Sequence, residues 1–163
     1  MASMWESNCP KVVRNGGVVS QRATEMVMVR APLDVIYGVV TDVEHYAEWM
    51  SDVKRVEVLE RDAAGRALEV AFRAAAFGRS TTYTLRYDYA RAPERLSWYQ
   101  VEGDLTEELQ GQYRLEALGD ETRVIYDLEV ELRVPIPAFV KARAAQRIQT
   151  LALRELKVRA EST

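Results

Sequence analysis

The sequence predicts an α+β domain in which a seven-stranded curved antiparallel sheet wraps around a long C-terminal helix, with two short helices between strands 1 and 2. Six consecutive segments of strand length are separated by breaks short enough for hairpins. Several of these segments alternate apolar and polar residues, which gives the sheet one covered face. The last segment, 138–160, has no helix-breaking residue and is amphipathic. We expect residues 1–20 to form a flexible leader and residues 21–161 to form the single domain.

The first strand and the two short helices open the domain. Residues 23–30 form an apolar and β-branched run that ends before Pro32. Proline is favoured at the first position of a helix, and apolar residues recur at helical spacing after it. Asp42 is of the type that caps a second short helix, which we expect to end at Trp49.

The other six strands follow one another along the chain. They are predicted at 52–61, 67–76, 79–90, 95–102, 105–117 and 121–134. Consecutive strands with short connections pair antiparallel, because parallel pairing needs a long crossover. A sheet of this length with one apolar face must curl around another element, and the helix at 138–160 is the element available.

The inner surfaces of the helix and the sheet predict a cavity. One arc of the helix holds Val140, Ala144, Ile148, Leu151, Ala152 and Leu156, and the opposite arc holds Arg143, Arg147, Thr150, Arg154 and Lys157. Alanines on the inner arc fill little space, whereas the inward strand positions are rich in tyrosine, whose buried hydroxyls need partners. We expect a cavity lined by Phe72, Tyr83, Leu85, Tyr87, Trp98, Gln100, Leu109, Tyr113, Tyr126, Leu128, Ala144, Ile148 and Leu151. The alternative is an ordinary core that these tyrosines close.

The composition excludes several classes of function. A net charge of −3 gives no overall attraction to nucleic acid or to anionic membranes. The only cysteine, Cys9, excludes an intrachain disulfide, and the only histidine, His45, has no partner for a metal site. No glycine-rich phosphate loop, signal-peptide core or run of eighteen apolar residues is present. We therefore expect a cytoplasmic protein without metal, cofactor or membrane-spanning segment.

A few polar residues at inward positions are candidates for catalysis. They are Glu107, between two inward leucines, the hydroxyl of Tyr113, and Glu155 on the apolar arc of the last helix. A carboxyl group desolvated in an apolar surrounding has a raised pKa, as a proton donor requires. The alternative for Glu155 is a helix end in water.

The basic stripe on the outer arc of the last helix also has two interpretations. Arg143, Arg147 and Arg154 would suit transient docking to a carrier protein or to an anionic membrane. The alternative is that they form only the solvated face of an amphipathic helix.

An ordered set of short strings resembles the START-like (Bet v 1-like) helix-grip superfamily, in its polyketide cyclase/dehydrase and lipid-transport branch, to which coenzyme Q-binding proteins belong. The strings are Ala31-Pro32, Val35-Ile36-Tyr37, Asp42 to Trp49, Trp98, Glu102-Gly103, Leu109 to Tyr113, Thr122-Arg123-Val124 and Pro135-Ile136-Pro137. Ala47 departs from the pattern, since relatives usually carry proline there. The resemblance covers residues 23–160 and implies a helix-grip fold with a ligand cavity. It does not imply one reaction, because only some members catalyse cyclisation and dehydration.

Three functions follow as hypotheses. The first is binding of a hydrophobic or aromatic small molecule, of the lipid, quinone or polyketide type, without catalysis. The alternative is a polyketide cyclase, aromatase or dehydratase that acts in the same cavity. The third is a protein-interaction or regulatory module that uses the basic helix face.

Overall fold

A computed structural model of the protein describes residues 21–76 and 78–163, and within them it has seven strands, three α-helices and a 3-10 turn. The strands are β1 (Gln21–Val29), β2 (Val53–Arg61), β3 (Ala67–Ala76), β4 (Arg79–Asp88), β5 (Arg95–Gly103), β6 (Thr106–Leu118) and β7 (Glu121–Leu132). The helices are α1 (Leu33–Thr41), the 3-10 turn (Val43–His45), α2 (Tyr46–Trp49) and α3 (Ala138–Glu161). The predicted α+β helix-grip fold is confirmed. The predicted leader, 1–20, lies outside the described residues.

The strands form one antiparallel sheet in the order β1-β7-β6-β5-β4-β3-β2. Each strand from β2 to β7 lies beside its neighbour in the chain, whereas β1 pairs with β7, the last strand. Register shifts occur in the pairing of β2 with β3, of β4 with β5, and of β6 with β7. Such bulges bend a strand and increase its twist, which curls the sheet around one face.

The helices between β1 and β2 begin differently from the prediction. Pro32 is the N-cap of α1 and not its first helical residue, and its carbonyl oxygen accepts hydrogen bonds from the amides of Val35 and Ile36. Asp42 was expected to cap the second helix, and it is the N-cap residue of the 3-10 turn that begins there, but its carboxylate makes no capping bond to the backbone. The chain forms a 3-10 turn there, and Asp42 Oδ1 instead lies 2.7 Å from Nδ1 of His45.

The long helix α3 packs against β1 and, to a smaller extent, against β7. Its buried residues are Ala145, Gln149, Ala152, Leu153, Leu156 and Ala160. The predicted inner arc is therefore rotated from the true one, and Val140, expected on it, is exposed. Gln149 is fully buried, and its amide Nε2 donates to the carbonyl oxygens of Ala23 at 2.8 Å and Tyr126 at 2.9 Å, on the two adjacent strands, whereas its Oε1 has no hydrogen bond to a described residue. Among the described residues, no helix combines the length and apolarity that crossing a membrane requires.

A polar row crosses the convex face of the sheet. Thr24, Asp127 and Gln112 lie opposite one another on β1, β7 and β6. The carboxylate of Asp127 accepts hydrogen bonds from Thr24 Oγ1 at 2.6 Å, from Gln112 Nε2 at 2.8 Å and from Arg114 Nε at 2.9 Å. These hydrogen bonds therefore connect the edge strand β1 to β7 and β6, the next two strands of the sheet.

Candidate functional site

A cavity lies between the concave face of the sheet and α3. Its volume, counted as the space open to the centre of a water molecule, is about 140 Å³. Eleven of the residues expected to line a cavity are on its wall, namely Phe72, Tyr83, Leu85, Tyr87, Trp98, Leu109, Tyr113, Tyr126, Leu128, Ile148 and Leu151. The wall also includes residues that sequence reasoning missed, namely Tyr46, Met50, Asp52, Val53, Ala74, Ala75, Ala76, Thr81, Leu105, Thr106, Val130 and Ala152.

Gln100 and Ala144 were expected on the wall and lie outside it. The pairing of β4 with β5 shifts register next to Gln100, so simple alternation does not hold there. The amide of Gln100 is used within the sheet, where Nε2 donates to the carbonyl oxygen of Thr106 at 2.9 Å and Oε1 accepts from its hydroxyl. Ala144 lies on the same face of α3 as Ile148 but one turn earlier, and the wall includes Ile148 and not Ala144, so the cavity does not extend along α3 to Ala144.

The deep part of the wall is aromatic. Tyr113 and Tyr126 stack with ring centroids 4.8 Å apart, and the indole of Trp98 lies 5.2 Å from Tyr113. Trp98 faces Gly111 across the strands, and a Cβ atom at Gly111 would lie 2.6 Å from Cζ2 of the indole. Position 111 therefore requires a glycine, because the indole of Trp98 on β5 lies directly against β6 at this point. Nothing in the sequence indicated that an aromatic ring lies on Gly111.

The tyrosine hydroxyls of the wall fall into two groups. Tyr46 donates to the carbonyl oxygen of Val40, whereas no hydrogen bond joins the hydroxyls of Tyr83, Tyr87, Tyr113 and Tyr126 to another residue that the structure describes. Burial raises the pKa of Tyr83 to about 12 and that of Tyr87, Tyr113 and Tyr126 well above its ordinary value. These four hydroxyls thus stay protonated at any physiological pH, and they offer hydrogen-bond donors but no base.

The catalytic candidates are not assembled into one group. Tyr113 is buried in the deep wall, and Glu155 is half-buried at the edge of the cavity. Glu107 is exposed and outside the wall, because the bulge between Thr106 and Glu108 interrupts the alternation on β6. The two carboxylate oxygens of Glu155 accept hydrogen bonds from the amide of Ser51 at 3.1 and 3.2 Å, and the Ser51 hydroxyl donates to one of them at 3.0 Å.

The opening of the cavity is acidic. Some residues of the wall are partly exposed to solvent, among them Met50, Asp52, Ala75 and Glu155. We call the opening that these four residues line the mouth. The wall residues that the structure describes include these two carboxylates and no lysine, arginine or histidine. His45 is on the surface, where a hydrogen bond to Asp42 raises its pKa. Within the described ranges, no group of three or more metal-ligating side chains comes together.

The basic stripe on α3 is shorter than the sequence indicated. Arg143, Arg147 and Arg154 are exposed and form no ion pair with any residue that the structure describes. Lys157 was placed on the same arc, but its ammonium donates to the carbonyl oxygen of Met28 at 2.8 Å and to Glu161 at 2.7 Å. It therefore ties α3 to β1 and is not available to a partner.

Comparison with known proteins identifies the family. A family model described as polyketide cyclase/dehydrase and lipid transport matches residues 29–157. No curated protein sequence gives a match. A START superfamily protein from Mycobacterium smegmatis superposes with a TM-score of 0.82 at 24% identity, covering 86% of this chain and 97% of its own.

Two further solved structures are an aromatase/cyclase and a protein that contains two such domains. The ZhuI aromatase/cyclase from Streptomyces sp. R1128 has a TM-score of 0.78 at 20% identity, over 88% of this chain and 94% of its own. The di-domain aromatase/cyclase BexL of the BE-7585A biosynthetic pathway has a TM-score of 0.65 at 21% identity, over 84% of this chain and 45% of its own. These likenesses show the fold, and the match over residues 29–157 shows the family. The chain belongs to the polyketide cyclase/dehydrase and lipid-transport family of START-like proteins.

Proposed function

We propose that the protein binds a hydrophobic or aromatic small molecule, of the lipid, quinone or polyketide type, in the cavity between the sheet and α3. The observation that carries this proposal is an aromatic wall on which four tyrosine hydroxyls have no hydrogen-bond partner among the described residues. A buried polar group left without a hydrogen bond costs about 1–3 kcal/mol, so water or ligand oxygens are expected to complete these bonds. The cavity's volume of about 140 Å³ is close to that of an apolar cavity that binds benzene, and at about 30 Å³ per water it corresponds to about five waters, so it suits a molecule of one or two rings.

Binding without catalysis fits the wall better than a reaction does. Its tyrosines are held in the protonated form, so none of them serves as a general base at neutral pH. The carboxylate of Glu155 is already engaged by the amide and hydroxyl of Ser51. The residues of the wall thus provide contacts and donors and do not form a recognisable acid–base pair.

Native mass spectrometry of the protein purified from its own host tests the proposal. We expect a noncovalent adduct whose mass disappears when the protein is denatured. Repeated recovery of empty protein, together with no binding of quinone, fatty acid and aromatic polyketide probes, would contradict binding as the function.

Filling the cavity from the helix side should abolish occupancy. Ala152 is buried, lines the wall, and has space in front of it, so Ala152→Phe places a ring where the ligand would lie. We expect at least a tenfold loss of affinity and a cost in stability of about 1–3 kcal/mol from overpacking. Occupancy by native mass spectrometry and the unfolding midpoint measure both effects.

The matched control is Ala142→Phe, because Ala142 is an exposed residue of the same helix and is not on the wall. This variant should keep the occupancy of the unmodified protein. If the two variants retain ligand equally, the site lies elsewhere.

The second candidate function is that of a cyclase, aromatase or dehydratase acting on a polyketide chain. It is favoured by the presence of Tyr113 and Glu155 on one wall, since a protonated hydroxyl and a carboxyl group are a minimal set for proton transfer. A reconstituted polyketide pathway distinguishes it from binding. If the product profile is the same with the protein as with its Tyr113→Phe and Glu155→Gln variants, the catalytic hypothesis fails.

We also propose that the exposed arginines of α3 dock transiently to an anionic surface, which belongs either to a carrier protein or to a membrane. The hypothesis of an interaction module depends on the same contact. The support is that Arg143, Arg147 and Arg154 are exposed and have no ion pair among the described residues. We expect Arg143→Glu with Arg147→Glu to abolish co-sedimentation with phosphatidylglycerol vesicles and to leave ligand occupancy unchanged. Arg79→Glu with Arg133→Glu makes the same charge change at exposed arginines away from α3 and serves as the control. Equal sedimentation of both double variants would show that α3 is not the docking face.

A further inference from the structure

The charges at the cavity are all of one sign. Asp52 and Glu155 line its mouth, and the wall residues that the structure describes include no cationic side chain. A carboxylate, phosphate or enolate on a ligand would therefore find no opposite charge inside the cavity. Removing such an ion from water without a counter-charge is unfavourable.

The aromatic wall of the cavity supplies neutral donors. The hydroxyls of Tyr83, Tyr87, Tyr113 and Tyr126 have no acceptor among the described residues and lie on an otherwise apolar wall. Carbonyl, ether and phenol oxygens accept hydrogen bonds from such groups without carrying charge. A hydrocarbon of the same shape would leave the hydroxyls unpaired, and it should bind less tightly for that reason.

The fold fixes the position of the two carboxyl groups at the mouth. Both oxygens of Glu155 accept from the amide of Ser51, which fixes the carboxylate of α3 beside the connection that leads into β2. Asp52 follows Ser51 directly and acts on the hydroxyl of Tyr83 through its charge. Lys54 lies close in the chain, but it is not on the wall, and its ammonium donates to the carbonyl oxygen of Ser51 at 2.6 Å. An anionic ligand would therefore meet the carboxylates of Asp52 and Glu155 on the wall, whereas the cationic side chains of Lys54, Arg55 and Arg73 line an adjoining groove that shares Ala74 and Ala75 with it.

We propose that the cavity selects uncharged ring compounds that carry oxygen acceptors, and that Asp52 and Glu155 are the residues that exclude anionic analogues. The proposal rests on the function proposed above and narrows it. Neutral quinone-like or phenolic molecules are retained as ligands, and ionised fatty acids are excluded.

Three naphthalene probes of nearly equal shape separate the effects of charge and of oxygen acceptors. They are 2,3-dimethyl-1,4-naphthoquinone, which is neutral, 2-hydroxy-3-methyl-1,4-naphthoquinone, which is ionised at neutral pH, and 2,3-dimethylnaphthalene, which has no oxygen. Equilibrium dialysis against the full chain at pH 7.5 measures each affinity. We expect the neutral quinone to bind at least about tenfold more tightly than the anion, since like charges repel strongly near a low-dielectric wall. It should also bind about fivefold more tightly than the hydrocarbon, which leaves the hydroxyls unpaired.

Neutralising the mouth tests the role of the two carboxylates. Asp52→Asn with Glu155→Gln should increase the affinity for the anionic quinone about tenfold and should change that for the neutral quinone much less. The control is Glu102→Gln with Glu107→Gln, which makes the same change in charge at exposed residues outside the wall. This control should leave both affinities as they are.

Equal binding of the neutral and anionic quinones would overturn this inference and leave the proposed binding function intact. If Asp52→Asn with Glu155→Gln binds the anionic quinone no more tightly than the unmodified protein does, the inference is also overturned and the proposed binding function is not. If none of the probes binds, the inference is tested by the molecule that is recovered with the protein from its host. An ionised molecule overturns the inference, and an uncharged molecule that carries oxygen supports it. Empty protein together with three non-binding probes would overturn the proposed function and this inference with it.

Discussion

Gly111→Ala is expected to destabilise the protein by about 2–3 kcal/mol, as overpacking of a filled site does, and to distort the aromatic wall. The new Cβ atom would lie 2.6 Å from Cζ2 of Trp98 and 2.9 Å from the carbonyl oxygen of Asp127, and the second of these atoms belongs to the backbone. The indole must therefore move toward the cavity. Denaturant unfolding measures the loss of stability, and ligand occupancy should fall with it.

The chain contains its own control for this substitution. Gly38 is an exposed glycine within α1, and no atom lies within 4 Å of a Cβ atom built there. Gly38→Ala should stabilise the protein by about 0.5–1 kcal/mol, because alanine favours the helix more than glycine does. If both substitutions shift stability in the same direction and by the same amount, the close approach of Trp98 to Gly111 is not what requires a glycine there. In that case Trp98→Leu, which removes the indole, should not rescue Gly111→Ala.

Asp127→Asn is expected to cost about 2–3 kcal/mol at neutral pH, because it removes the charge from a buried carboxylate that holds three donors. Asp127 is 1% exposed, and its partners Thr24, Gln112 and Arg114 lie on two different strands beside it. Without this charge, Thr24, Gln112 and Arg114 lose the carboxylate that accepts hydrogen bonds from all three of them. The edge strand β1 should then be the first to exchange its amide protons.

The effect of Asp127→Asn should depend on pH in a defined direction. Burial alone would raise the pKa of Asp127, but the hydrogen bonds from Thr24, Arg114 and Gln112 outweigh it and lower the pKa below the ordinary value of 3.8. The folded state thus binds fewer protons than the unfolded state, so the carboxylate stabilises the protein at pH values above 3.8. This contribution is lost as the pH falls through that value toward the lower pKa of the folded state.

Unfolding by urea at pH 7 and near pH 3 measures this dependence. The difference in stability between the unmodified protein and Asp127→Asn should be largest at pH 7 and should shrink in acid. Asp120→Asn, at an exposed turn residue, controls for the loss of one negative charge. A difference that stays constant across the two pH values would contradict the assignment of this acid sensitivity to Asp127.

The fold was predictable because its pattern is local. Alternation along β7 and short breaks between strands suffice to indicate an antiparallel sheet, and every strand and α3 begin and end within two residues of the prediction. The pairing of β1 with β7 joins residues far apart in sequence, and the sequence analysis did not predict it, because alternation and short breaks indicate only which neighbouring strands pair.

The candidate site was predictable where strict alternation holds and not where a bulge or a rotation intervenes. Tyr113 and Tyr126 follow the alternation and lie on the wall, whereas the bulge beside Glu107 turns that residue outward. Gln149 was unforeseen because a polar side chain at the buried face of α3 depends on two strand carbonyls that only the tertiary structure brings there. The hydrogen bonds between Glu155 and Ser51 were also unforeseen, because they join residues that are 104 positions apart in the sequence.

The pairing of the first strand with the last has a consequence for synthesis of the chain. β1 leaves the ribosome early, yet its partner β7 follows about a hundred residues later, and the hydrogen bond from Thr24 to Asp127 joins positions 103 apart. The hairpins from β2 to β6 can pair as they emerge, whereas closure of β1 onto β7 must wait, and contacts of such long range slow folding. Since α3 comes after β7 and packs on β1, the cavity is enclosed only after α3 has been made. A nascent chain that lacks α3 therefore has no enclosed site, and a ligand bound as proposed would enter after α3 has packed.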